Sequence, residues 1–224
     1  MQTAEKKKIY FDDYWRQQPE SRVDPRSLQR AKAIDKLLQK RSGCLLDVGC
    51  GRGLILDYFA EGGFDVSGVD ISPEAVEMVR QKGHKVGVLD LEQEEIIDKY
   101  DIILCLEVLQ QLHDPVIVLE KLISALHEDG ELVVSVPNEF HIISRLKLLF
   151  GRSHLGDFSH SHIRLFFPWR DKKLFEITKL KIVDKIYISI APPKWKTISM
   201  ILRPLAQMCP SLFAISSIYT LKKL

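Results

Sequence analysis

Up to residue 137, short apolar runs alternate with stretches whose apolar positions recur at helical spacing. The runs at 44–48 (C-L-L-D-V), 64–69 (F-D-V-S-G-V), 84–89, 100–106 (Y-D-I-I-L-C-L) and 131–136 (E-L-V-V-S-V) have the length and β-branched content of strands. The fourth is almost continuously apolar, which predicts a strand buried on both faces of a parallel sheet. Residues 27–40, 54–61, 73–82 and 115–127 predict helices. Gly62-Gly63 and Gly83 stop two of them, and the Asp129-Gly130 turn follows the last. Strands and helices that alternate through short loops predict an α/β fold, a doubly wound parallel sheet with helices on both faces.

The first strand ends in an acid and then in glycines at alternate positions, L-D-V-G-C-G-R-G, with a helix beginning at once near Leu54. Without Cβ atoms, Gly49, Gly51 and Gly53 let the loop take positive φ and let a ligand lie against bare backbone at a helix start. The hydride-transfer fingerprint G-x-G-x-x-G needs a glycine where Leu54 stands, so this is not the usual dinucleotide loop.

The same residues resemble the first motif of class I S-adenosylmethionine-dependent methyltransferases, nearest to the small methionine-biosynthesis-associated and ubiquinone-pathway type. The resemblance implies a seven-stranded, mostly parallel Rossmann-like sheet closed by an antiparallel C-terminal edge hairpin, with last strands near 180–190 and 215–222. It implies that Asp47 and the backbone of Gly49, Cys50, Gly51 and Gly53 hold the methionine half of S-adenosylmethionine. An acid is then required at the end of the second strand, and Asp70, followed by Ile71, stands there. A carboxylate can accept hydrogen bonds from both ribose hydroxyls. Ser72-Pro73 next to it suits a helix start. The resemblance also gives Asp90 to the adenine amino group and Leu91 to the ring face. Its Y-x-x-x-W-like segment makes Tyr14 and Trp15 a lid over the cofactor, although packing of an aromatic-rich docking helix explains them equally. The chain divides into an N-terminal arm and helix (1–42), a cofactor-binding core (43–137), and a substrate-facing insert with the C-terminal hairpin (138–224), all one domain.

Ligands of open α/β sheets bind beyond the carboxyl ends of the strands, which puts Leu106, Glu107 and His113 at the site. Family members often read E-V-L-E-H-L-x-D-P here, and some draw metal ligands from it. This chain has E-V-L-Q-Q-L-H-D-P. Amides at 110 and 111 supply neither the charge nor the imidazole a divalent ion uses, so no catalytic metal is expected. No base-amine motif of the Asn-Pro-Pro-Tyr kind follows the fourth strand, which argues against methylation of nucleic-acid bases.

Composition changes the picture in two places. The four cysteines form no C-x-x-C pair and read as buried free thiols. With no apolar run long enough to span a membrane and no apolar leader at the N-terminus, a cytoplasmic protein is expected. The formal net charge of +2 conceals an asymmetry: residues 1–150 hold 19 Lys and Arg against 26 Asp and Glu, and residues 151–224 hold 13 against 4. A basic third of the chain suits an anionic substrate, lipid headgroups or a nucleic acid, or is a solvated surface. Within it residues 195–208 form an amphipathic helix that Pro204 interrupts. Such a helix can make a weak peripheral membrane contact, and it can equally pack on the sheet edge or a second subunit.

Between 138 and 179 four histidines occur, His141, His154, His160 and His162, of which His162 aligns with a position that can face the substrate in related enzymes. Methyl transfer from a sulfonium depends mainly on holding donor and acceptor in line. A base is needed only if the acceptor must lose a proton, and His113 or His162 are the candidates. The expected activity is O- or C-methylation of a small-molecule acceptor, anionic or lipid-linked. The alternatives are a cofactor-binding regulatory partner without turnover and a nucleic-acid methyltransferase. The sequence sets neither the acceptor nor the oligomeric state.

Overall fold

A computed structural model of the chain describes residues 4–18, 25–152, 161–192 and 194–224. The elements run in order α1 (Ala4–Gln17), α2 (Pro25–Leu37), β1 (Cys44–Val48), α3 (Leu54–Glu61), β2 (Asp65–Asp70), α4 (Pro73–Gln81), β3 (Lys85–Val88), β4 (Tyr100–Leu106), α5 (Pro115–Ser124), β5 (Leu126–Pro137), α6 (Ile142–Leu149), α7 (Asp171–Ile177), β6 (Leu180–Ser189), α8 (Lys196–Met208), α9 (Pro210–Phe213) and β7 (Ala214–Lys223). A seven-stranded sheet has the order β3-β2-β1-β4-β5-β7-β6. β1 to β5 pair in parallel, and β7 runs antiparallel to both β5 and β6. This is the doubly wound sheet that the alternation predicts, with the antiparallel edge hairpin that the resemblance implies.

Period-two alternation sends the strand side chains into two cores. Leu45, Ile102, Leu104, Val133 and Ile218 pack under α2 and α3, and Leu46, Ile103, Cys105, Val134 and Tyr219 pack under α5 and α7. Both faces are thus covered, as parallel strands require. N-caps start α4 and α5: Ser72 Oγ accepts the Ala75 amide at 3.1 Å, and Asp114 Oδ1 accepts the amides of Val116 and Ile117.

Three expectations need correction. α5 ends at Ser124, and Leu126 already pairs with Tyr100 while Glu131 pairs with Ile102, so the Asp129-Gly130 turn lies inside a bulge of β5. Burial of Leu126 in the core outweighs continuation of the helical pattern. α8 runs through Pro204 without a break. Proline denies a hydrogen bond to the carbonyl one turn earlier, and Met200 is exposed, so water can satisfy it. Of the cysteines, Cys50 and Cys105 are buried, but Cys44 is exposed at the start of β1 and Cys209 is half-buried.

β6 is the outer strand of its side of the sheet, and α8 lies against it. The Gln207 carboxamide accepts the Tyr187 amide at 3.2 Å and donates to the Tyr187 carbonyl at 2.7 Å. Ser199 and Ala206 are the buried residues on the packed side of this helix.

Candidate active site

The carboxyl ends of β1, β2 and β4, with α1 above them, enclose a cavity of about 670 Å³. Asp47, Gly49, Cys50, Gly51, Asp70, Ile71, Asp90, Leu91, Leu106, Glu107 and His162 all line it. Gly53 and His113 do not.

Gly49, Gly51 and Gly53 adopt φ of 74°, 51° and 75°, the left-handed region that disfavours a side chain. Space forbids one as well. A methyl group on Gly49 would stand 2.5 Å from Val108 Cγ2, and one on Gly51 would stand 2.6 Å from the Trp15 ring. Gly53 caps α3 and packs near Val79, so its role is to start the helix.

Asp70 ties this loop to the next strand. Its Oδ2 accepts the Gly51 amide at 2.9 Å, and its Oδ1 accepts the Ser72 amide at 2.9 Å. Each oxygen keeps a second acceptor position. Burial pushes the Asp70 carboxyl above its usual range, opposed by the amides of Ser72, Gly51 and Ile71. Asp47, only 2% exposed, is pushed up to about 8 by burial and then by the charge of Asp70, with Arg30 pulling the other way. Two buried acids facing one cavity make it attractive to a cation.

Asp90 reaches the cavity from the end of β3, and its Oδ1 accepts the Glu92 amide at 3.0 Å, closing a tight turn beside buried Leu91. Glu107 has φ 58°, uncommon for a residue with a side chain. Its amide donates to the Ser135 carbonyl at 3.0 Å, Ser135 Oγ donates to its Oε1 at 2.9 Å, and Arg30 lies 3.2 Å from that oxygen. Gln110 and Gln111 both donate their side-chain amides to the Glu107 carbonyl, so they brace the loop from within.

Two of the four histidines after β5, His154 and His160, lie outside the described residues. His141 precedes α6, its Nε2 3.3 Å from Ser144 Oγ. His162 is brought over the cavity because the Gln110 carbonyl accepts the amides of Ile163 and Arg164 at 2.9 and 3.0 Å. Its Nδ1 stands 2.6 Å from Glu139 Oε1, and Glu139 is buried. His113 points away. Its ring nitrogen Nδ1 and its amide both meet Glu92, at 3.3 and 2.7 Å, and the side chain is half exposed. Placement at a strand end is therefore not enough to bring His113 to the cavity, because Glu92 holds it on the outside of the loop. Burial would raise Glu92, but the ammonium of Lys7 and then His113 hold it down to about 2.

α1 forms the roof. Lys7, Tyr10, Phe11, Tyr14, Trp15 and Gln18 line the cavity from above. Polar contacts hold the helix down: Lys7 on Glu92 at 2.8 Å, Asp12 on Ser72 Oγ and the Glu74 amide, and the Arg52 guanidinium on the carbonyls of Trp15 and Gln18. Arg30, Ser135 and Glu139 carry no motif in the sequence. Their roles follow from which strands lie side by side.

The family model described as a methyltransferase domain matches residues 14–177. The chain belongs to the methyltransferase-domain family. Among curated relatives, a ubiquinone biosynthesis O-methyltransferase of Actinobacillus pleuropneumoniae serotype 7 (strain AP76) is 29% identical over 136 residues, covering 54% of this chain and 58% of the relative. The enzyme of the same name from Aeromonas salmonicida (strain A449) is 25% identical over 176 residues, covering 71% and 73%. The aligned part thus spans a little over half of the first relative and nearly three-quarters of the second. Among solved structures, magnesium protoporphyrin IX methyltransferase from Synechocystis PCC 6803, with bound SAH, matches with a TM-score of 0.68 at 19% identity, covering 97% and 98% of the two chains. A TehB-like SAM-dependent methyltransferase from Corynebacterium glutamicum matches with a TM-score of 0.61 at 20% identity, covering 96% and 99%. At such identities the likeness is one of fold.

Proposed function

We propose that this methyltransferase-domain protein transfers a methyl group from S-adenosylmethionine to an oxygen or carbon of a small-molecule acceptor. The observation that carries the reading is the pair of buried acids, Asp47 and Asp70, facing a cavity floored by side-chain-free glycine backbone. The cofactor would supply an activated methyl on a sulfonium. Its positive charge answers the unfavourable proximity of two buried carboxyls, and its ribose hydroxyls suit the acceptor positions that Asp70 retains. The Gly49–Gly51 backbone allows the close approach that a Cβ would block. Leu91 and Ile71 offer apolar contact to a flat ring, and Asp90 an acceptor for its amino group.

His162 is the imidazole among the described residues lining this cavity, and it would take a proton from an acceptor hydroxyl or activated carbon. Donation from Nδ1 to Glu139 selects the tautomer in which Nε2 is the base, and the buried carboxylate stabilises the imidazolium formed. The names of the relatives favour a hydroxyl acceptor, and the cavity's His–Glu pair supports the same choice.

The test is acceptor-dependent release of S-adenosylhomocysteine from the purified protein, with pools of phenols and hydroxy acids, in excess chelator. Turnover is expected, with His162→Ala lowering kcat about 10²- to 10⁴-fold. Ligand binding without turnover on any pool would favour the regulatory-partner reading, and no binding of the cofactor would overturn both.

A further inference from the structure

The helices that follow the cofactor-binding half present apolar side chains to water. No residue of α6 is buried, and Ile143, Leu146, Leu149 and the adjoining Phe150 are exposed, the last two by 79% and 80%. On α8, Ile198, Ile201, Leu205 and Met208 recur three and four apart along one side, opposite the side that carries Gln207 to the sheet edge. Met208 is 81% exposed, Ile201 58%, and Trp195 at the helix start 58%.

These surfaces are neighbours. α6 and α8 each pack on α9. Asn138 donates to the carbonyls of Pro210, Ser211 and Ala214, and Arg145 to those of Phe140 and Ser211. Both helices also lie at the end of the sheet where the cavity opens. α6 follows the carboxyl end of β5, and Pro137 pairs with Ser216 near the start of β7, into which α8 and α9 lead.

Charge decides what covers the face. Residues 140–156 and 185–224 contain no Asp or Glu, yet they contribute Arg145, Lys147, Arg152, Lys194 and Arg203. A second copy of this chain would set cation against cation with no acid to pair. An interface of anionic headgroups above acyl chains suits both properties at once, because amphipathic helices with basic polar sides lie in that plane. Neither helix can do more than lie there: among the described residues none is long and apolar enough to cross a membrane.

We propose that the joined face of α6 and α8 docks the protein on a bilayer surface carrying anionic lipid, with the cavity opening toward that surface. The contact is hydrophobic at Leu149, Phe150, Ile201 and Met208 and electrostatic at the surrounding cations.

Flotation of the full chain with phosphatidylcholine vesicles, with and without phosphatidylglycerol, tests this apart from any methyl transfer. Binding is expected only to the mixed vesicles, and it weakens in about 0.5 M salt, where screening is nearly complete beyond a few Å. Lys147→Ala should weaken it about fivefold. Leu149→Glu with Phe150→Glu, whose exposed sites leave the melting temperature unchanged, should weaken it at least tenfold. Equal partitioning with and without phosphatidylglycerol overturns the proposal, as does wild-type binding by the double variant. A dimer in sedimentation equilibrium that the double variant disperses would instead assign the face to a second copy, and that also overturns it.

Discussion

Around β1 and β2 the cavity is built from buried carboxylates and bare glycine backbone, whereas beyond β5 the surface is built from cations and apolar side chains open to water. In the first region Asp70 and Glu107 are tied into the fold: Asp70 holds Gly51 and Ser72, and Glu107 holds Ser135 and Arg30. In the second, α6 has no buried residue, and among the described side chains of α8 two are buried, Ser199 and Ala206. The contrast separates a part whose side chains converge on one cavity from a part whose side chains face water.

The most severe way to break that contrast is Asp70→Ala. It removes the proposed ribose partner and leaves two buried amides without their acceptor, at about 1–3 kcal/mol each. Titration calorimetry with S-adenosylhomocysteine is expected to give binding at least about 100-fold weaker, equivalent to roughly 2.7 kcal/mol. Affinity within threefold of wild type would remove Asp70 from the cofactor site.

A smaller effect sharpens the comparison through pH. Asp47 ionises at 3.8 in a chain free of its surroundings and near 8 in the fold, so the folded form holds its proton longer. The favourable contribution is complete below the lower value and is lost as pH rises through the upper one. Ligand-free wild type should therefore lose stability between about pH 4 and pH 8 relative to Asp47→Asn, by about 2 kcal/mol or more at the upper end. Parallel chemical denaturation of the two proteins across that range would show parallel curves if the buried acid carried no such penalty. At sites as exposed as Leu149 and Phe150, substitution should leave no comparable trace.

The same division governs what could be read from sequence alone. Strand ends, the glycine loop and Asp70 were legible because each is fixed by its near neighbours in the chain: α3 occupies 54–61 and β4 occupies 100–106 as the pattern predicts. The bulge in β5 was not, because it depends on Leu126 finding Tyr100 across the sheet. His113 and His162 look alike in the sequence. What separates them is Glu92 on one side of the loop and Glu139 on the other, partners 21 and 23 residues away. α6 carried no strong signal either, since a helix that buries nothing leaves no core stripe to detect.

The Gln207 carboxamide, facing both backbone groups of Tyr187, does for one residue what another strand would do for a whole edge. An outer strand left open is a template for the wrong neighbour, and chains can add to it end over end until they form fibrils. Its consequence is therefore shelf life more than fold: Gln207→Ala should melt within a degree or two of wild type, yet nucleate thioflavin-positive aggregates sooner on quiet storage. Indistinguishable lag times would mean that the bulk of α8 alone shields β6.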